Sequence, residues 1–257
     1  MYEYYSAVLH SVREGLLLLD GAGRVQLVND EARRLLALYD DMRVPLADTE
    51  AMAGAVAVGA VVSVMGGLSH VVAQMKRTYP ALDVRLIGAK SFELAAMVES
   101  GELDAAFVVE GSARLAGTLH WTPLYDEPLV AIAARGSQGD DARQALASNP
   151  FLRFDRSQRT GALVERALRR AHLRTNEYLE LNSIEALVEL VRQEVGVTVV
   201  PLLKRARWRD DKALRILPLR AGGEPTVRTI GMLERRDHGR VHVTEAIRAA
   251  CEALFGD

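Results

Sequence analysis

The chain is poor in cysteine and, over one stretch, devoid of charge. Cys251 is the single cysteine among 257 residues, so no disulfide can close within the chain. It stands in the apolar series Val243, Ile247, Ala250, Cys251 and Leu254, which reads as one helix face. A thiol there packs as a small hydrophobe rather than acting as a nucleophile. Residues 51 to 75 hold no Lys, Arg, Asp or Glu, a run close to the length of a membrane span. Its composition argues against one, being mostly Ala, Gly and Val interrupted by Ser63, Gly66, Gly67, Ser69, His70 and Gln74. The run reads instead as a buried strand over Val56 to Val62, a turn opened by Gly66 and Gly67, and a helix. That helix carries Leu68, Val71, Val72, Met75 and Tyr79 on one stripe and ends at Pro80. No basic N-terminus leads into an apolar stretch and cleavage site, so a cytoplasmic location with no membrane partner is expected.

Catalytic signatures are missing as well. There is no G-x-S-x-G elbow, no phosphate loop and no G-x-G-x-x-G turn. His238 and His242 are four apart, but Gly239 lies between them and no neighbouring glutamate completes a zinc arrangement, so no metal or cofactor is expected. No catalytic residue stands out, which disfavours an enzyme. A charged fraction of 26% and a hydrophobic fraction of 49% are those of an ordinary globular protein, and the length suffices for one large or two small domains. The Arg-rich stretches at 166–174 and 205–209 read as solvated surface.

What is present is clearest from Val84 to Val109. Val84 to Ile87 is a short β-branched run, Leu94, Met97 and Val98 recur at helical spacing, Gly101 stops the helix, and Ala105 to Val109 is apolar throughout. A strand, helix and strand of this length makes a right-handed crossover in a parallel sheet. Ligands in such sheets sit at the carboxyl ends of strands beside helix N-termini, where Lys90 and Ser91 fall.

The series VAVGAVVSVMGGLSHVVAQMKRTYPALDVRLIGAKSFELAAMVESGELDAAFV resembles the start of the effector-binding domain of LysR-type transcriptional regulators. The likeness continues through LHWTPLYDEPLVAIA, PFLRFDRSQRTGALVERALRRAHL and LNSIEALVELVRQEVGVTVVP, and ends at LRILPL and a terminal helix, spanning roughly residues 55 to 255. The resemblance implies an α/β fold, two-lobed like type 2 periplasmic binding proteins, with a small effector between the lobes. The expected division gives residues 1–54 to an N-terminal segment, 55–129 with 218–257 to lobe I, and 130–217 to lobe II.

Residues 1 to 54 read as a β-hairpin around Gly21, Ala22 and Gly23, followed by a helix capped by Asn29 or Asp30. Residues 6 to 38 resemble the opening of a PAS domain, and equally a LysR wing running into a linker helix. No match to the family's helix-turn-helix of about sixty residues is present. Residues 1 to 50 carry five Arg and no Lys against nine acidic residues, a charge that repels phosphates. DNA contact is therefore expected only through a helix-turn-helix that this sequence does not contain.

Six residues are candidates for the effector site. Ser63 lies where the family places a hydroxyl, and it reads equally as a turn cap. Lys90 stands where family members carry Thr or Ser, a departure that favours an anionic, carboxylate-like effector; alternatively its stem snorkels outward. Ser91 reads as an N-cap able to serve a ligand too. Arg156 and Ser157 precede the helix that carries Leu163, Val164, Ala167, Leu168 and Ala171, where anions bind well, although Arg156 reads equally as solvated. Thr198 follows Gly196, read as a left-handed C′ glycine, and is either a cleft residue or ordinary strand packing. The expected function is a ligand-sensing regulatory domain that pairs as a homodimer through the 68–79 stripe. A stand-alone small-molecule binding protein and an enzyme on the same scaffold are the alternatives.

Overall fold

The computed structural model describes residues 15–19, 21, 25–42, 52–111, 117–221 and 224–256. Strands β1 (Leu17–Leu19) and β2 (Val25–Val28) pair antiparallel and lead into α1 (Asp30–Met42). Ala22 and Gly23 of the expected turn lie outside the described residues, as does the stretch 43–51. Asn29 is the cap: its buried Oδ1 accepts from the Ala32 N–H at 3.0 Å and from the Leu16 N–H at 2.7 Å, tying helix to hairpin.

Strands β3 (Gly54–Ala60), β4 (Leu82–Gly88) and β5 (Ala105–Val109) are parallel in the order β4-β3-β5, with α2 (Val62–Thr78) and α3 (Ser91–Ser100) as the crossovers. The 16-residue strand β6 (Leu119–Ala134) then serves two sheets. Its first half pairs antiparallel with β13 (Val227–Arg235), which also flanks β5. Its second half pairs with β9 (Val197–Pro201) and β10 (Leu214–Pro218). Beyond β9 lie β7 (Pro150–Phe154) and β8 (Asn176–Leu181), joined through α5 (Arg159–Arg170), with α6 (Ile184–Arg192) leading back to β9. Helix α4 (Ala142–Ser148) precedes β7, a two-residue pair β11 (Arg220–Ala221) and β12 (Glu224–Pro225) precedes β13, and α7 (Val241–Phe255) closes the chain.

Apolar residues segregate accordingly. Val56, Leu68, Phe107, Ile230 and Ile247 belong to one buried cluster, whereas Leu129, Phe151, Val164 and Val197, and Ile132, Leu152, Leu187 and Trp208, form two others. The expected stripe of α2 is spent in the first cluster, with Leu68, Val71, Met75 and Tyr79 all buried. Of that stripe only Val72 is left half-buried.

Two glycine expectations are corrected. Gly66 and Gly67 lie inside α2 rather than in a turn, and Gly67 is required by contact, since a Cβ there would stand 2.5 Å from the Phe255 ring. The left-handed residue after α6 is Glu194, at φ 61°, not Gly196. Gly196 is required by contact instead, since a Cβ there would meet the Pro150 carbonyl oxygen at 2.3 Å. Gly101 does end α3 in the left-handed conformation, at φ 84°.

Candidate functional site

A cavity of about 390 Å³ lies between the two sheets. Its walls include the first turns of α2, α3, α5 and α6, that is residues 62–64, 91–92, 159–160 and 184–185. The parallel connections put these turns there, since each helix begins where a strand ends. Four helix N-termini supply unpaired N–H groups and partial positive charge to one space, a setting that favours anions. Side chains add to this: Lys90, Arg159, Lys204, Arg205 and Arg228 line the cavity, against the carboxylates of Glu127 and Glu185.

Arg228 is the central group. It is buried on β13 directly opposite Glu127 on β6, and Glu127 accepts from both its Nε, at 3.0 Å, and its Nη2. The remaining nitrogen, Nη1, donates to Ser63 Oγ at 3.0 Å and to Thr160 Oγ1 at 3.1 Å. One guanidinium thus joins α2 to α5 across the cavity. Glu127 Oε1 in turn accepts the Lys204 N–H at 3.2 Å. Tyr125 lies beside this pair on the same strand. Burial first, and the Glu127 charge second, push its phenol far above the usual range, so it remains a neutral donor.

A second bridge is made by Lys90, the last residue before α3, whose Nζ donates to Ser157 Oγ at 3.3 Å and lies 3.8 Å from Asp155 Oδ2. Burial opposes ionisation of Asp155. Hydrogen bonds from Ser157 and Gln158 and the charge of Lys90 outweigh it and hold the carboxyl below its ordinary value. The stability it contributes is therefore present above the ordinary carboxylate range and is lost as pH falls through that depressed value.

A family model described as the LysR substrate binding domain matches residues 49–256. The chain belongs to that family. Over 266 residues it is 26% identical to the DNA-binding transcriptional dual regulator OxyR of Escherichia coli K12, covering 94% of this chain and 83% of the regulator. It is 25% identical over 182 residues to the HTH-type transcriptional regulator CzcR of Bacillus subtilis, covering 71% of this chain and 60% of CzcR. The chain thus spans less than two thirds of CzcR's length. Among solved structures, the reduced OxyR regulatory domain of Pseudomonas aeruginosa superposes with a TM-score of 0.63 at 19% identity, covering 78% of this chain and 98% of that domain. A cysteine variant of Corynebacterium glutamicum OxyR with hydrogen peroxide bound gives 0.69 at 20%, covering 88% and 70%. These likenesses show the two-lobed, periplasmic-binding-protein-like type 2 fold.

In this LysR substrate binding domain, Ser63, Lys90, Ser91 and Ser157 all line the cavity. Ser91 is the first helical residue rather than the cap. Lys90 holds the cap position, and its N–H donates to Glu93 Oε2 at 2.8 Å. Arg156 and Thr198 are not among the lining residues. The Arg156 guanidinium is half exposed and bound by the carboxylates of Glu177 and Glu180. Thr198 is fully buried in β9, its hydroxyl donating to the Leu152 carbonyl at 2.7 Å. His238 is likewise spent on structure, lying 3.3 Å from Glu234 Oε2 and accepting the Arg240 N–H.

Thr160 owes its place to the residue after it. A Cβ on Gly161 would stand 2.0 Å from the Asp155 carbonyl oxygen, a backbone atom that cannot swing aside. Gly161→Ala is expected to cost at least about 1–3 kcal/mol by overpacking. Chemical denaturation should show a lowered midpoint with an unchanged slope.

Proposed function

We propose that this chain is the ligand-sensing domain of a LysR-type transcriptional regulator and takes a small carboxylate-like anion between its lobes. The observation that carries this reading is Arg228. It is a buried guanidinium on the cavity wall, held by Glu127 and shared between two hydroxyls from opposite sides, amid four helix N-termini. An anion seated against the Ser63 and Thr160 hydroxyls, which Arg228 holds in place, favours the closed arrangement to the extent that it binds closed better than open. The transcriptional role is supported by the relatives named as regulators. We assign residues 55–129 and 218–257 to lobe I and 130–217 to lobe II, a division that the separate apolar clusters support except at its borders, where Leu129 and Leu219 pack in the second lobe's cluster. The reading carries no catalytic step and needs no cofactor.

A cytoplasmic location fits it, and among the described residues no helix is long and apolar enough to cross a membrane. A homodimer is the expected assembly, the C2 pair being the commonest oligomer. Light scattering giving a monomer mass at high micromolar concentration would remove that part.

Hydrogen exchange tests the site itself. Small carboxylates at millimolar concentration should slow exchange at the first turns of α2, α3, α5 and α6 together. Protection elsewhere, or none with any anion, contradicts the reading. Lys90→Met is expected to change stability by less than about 1 kcal/mol, because its pair with Asp155 is partly exposed. The same change should weaken an anion seen by exchange about tenfold or more in calorimetry, the loss of one charge-assisted contact.

Peroxide response, the property named for some relatives, does not carry over through cysteine chemistry within this chain. Cys251 is buried in α7, and burial, with a smaller contribution from Glu252, pushes its thiol up to about 12. A thiol kept neutral is a poor nucleophile. A disulfide reagent is expected to modify Cys251 only at the rate of unfolding; rapid labelling of the native chain would refute this.

A further inference from the structure

The cavity has a side chamber of about 100 Å³, with which it shares Ser91, Val109 and Arg159. The chamber lies in lobe I beyond the end of β5, and its lining is apolar at Ala95, Val108 and Leu233. Two side chains stand out in its wall. Trp121 is one, its Nε1 buried and without a hydrogen-bond partner. The indole fits there because Gly231 on β13 leaves room, a Cβ at that position falling 2.3 Å from the ring. Arg159 is the other. It lies across Gly111, where a Cβ would stand 1.5 Å from Nη1, and its guanidinium has no hydrogen bond or ion pair among the described residues. Among the described residues the single carboxylate bordering the chamber, Glu110, is exposed and is not paired with Arg159.

The Trp121 Nε1 is itself closed off from the chamber, as is the equally unpartnered Trp208 Nε1 in the second lobe, so the indole supplies a flat wall there rather than a donor. A guanidinium beside it presents a planar fork that matches a carboxylate. The two chambers adjoin, sharing Ser91, Val109 and Arg159 in their walls.

We propose that the effector is a short dicarboxylate that reaches from the first chamber into the second, one carboxylate at the Ser63 and Thr160 hydroxyls beside Arg228 and the other in the side chamber against Arg159, next to the Trp121 ring. The apolar residues between them face its methylene chain. This inference rests on the anion reading of the large cavity and adds a second recognition point to it.

The test is calorimetry on the full chain with α,ω-diacids from malonate to adipate and with chain-matched monoacids. At least one diacid should bind about tenfold or more tighter than its monoacid, the worth of one charge-assisted contact. Arg159→Gln should erase most of that advantage, whereas Arg169→Ala, on the exposed side of α5, should leave it whole. In a Trp208→Phe chain Trp121 is the only tryptophan, and its emission should change with the diacid and not with the monoacid. Equal affinity for the two classes, no diacid binding, or an advantage that survives Arg159→Gln overturns the proposal. The parent reading fails separately: it falls if monoacids bind as well to a chain lacking both Arg228 and Glu127 charges as to the wild type.

Discussion

Arg228→Met is expected to lower the stability of the chain by about 3–5 kcal/mol, because it strands the Glu127 carboxylate in a buried site. For a chain of this size that is on the order of 10 °C in melting temperature. Ser63 and Thr160 lose their shared donor at the same time, so the link between α2 and α5 goes too. Pairing the change with Glu127→Gln should restore most of the lost stability, since no unpaired charge then remains buried. Anion binding should not return. Thermal unfolding of both variants separates the two effects: a single variant as stable as the wild type would mean that Glu127 finds another partner or becomes protonated at little cost.

Phe255→Ala is the second large effect. The ring is buried at the end of α7, its centroid 4.8 Å from that of Tyr125, against the α2 backbone at Gly67, and it forms part of the cavity wall. Removing a buried Phe side chain costs about 3–5 kcal/mol. The void would open into the ligand space, so water would enter beside Tyr125 and weaken the electrostatics that burial sustains. Lower stability together with reduced anion affinity is expected; a Phe255→Leu chain should recover most of the first. An Ala variant with native stability would show that α7 is not clamped through this residue.

The parallel units were legible because they are local. Val84 to Val109 contains its own strand, helix, stop and strand, and the structure places them at Leu82–Gly88, Ser91–Ser100, Gly101 and Ala105–Val109. The place of Ser63, Lys90, Ser91 and Ser157 on the cavity wall was legible for the same reason, each lying at a strand-to-helix turn. Arg228 was not. It looks like one more arginine in a strand, and its meaning depends on Glu127, 101 residues earlier, standing opposite it across two antiparallel strands. Strand register at that separation is not written in either segment. Arg156 misled in the opposite direction: its position before α5 is right for an anion, but Glu177 and Glu180 on the neighbouring strand claim it first. Gly66 and Gly67 carry the strongest turn signal in their region, yet both lie in a helix, and at Gly67 the lack of a side chain serves contact with Phe255, nearly two hundred residues on.

The most direct test is a thermal-shift comparison of the wild type with the Arg228→Met, Glu127→Gln double variant against one set of small carboxylates and their uncharged amides. A ligand at a hundredfold excess over its Kd stabilises the folded state by about 2.7 kcal/mol, a shift of several degrees. The account predicts that carboxylates and not amides raise the melting temperature of the wild type, and that none raises that of the double variant. Amides that stabilise as well as carboxylates, or carboxylates that stabilise both chains equally, would contradict it.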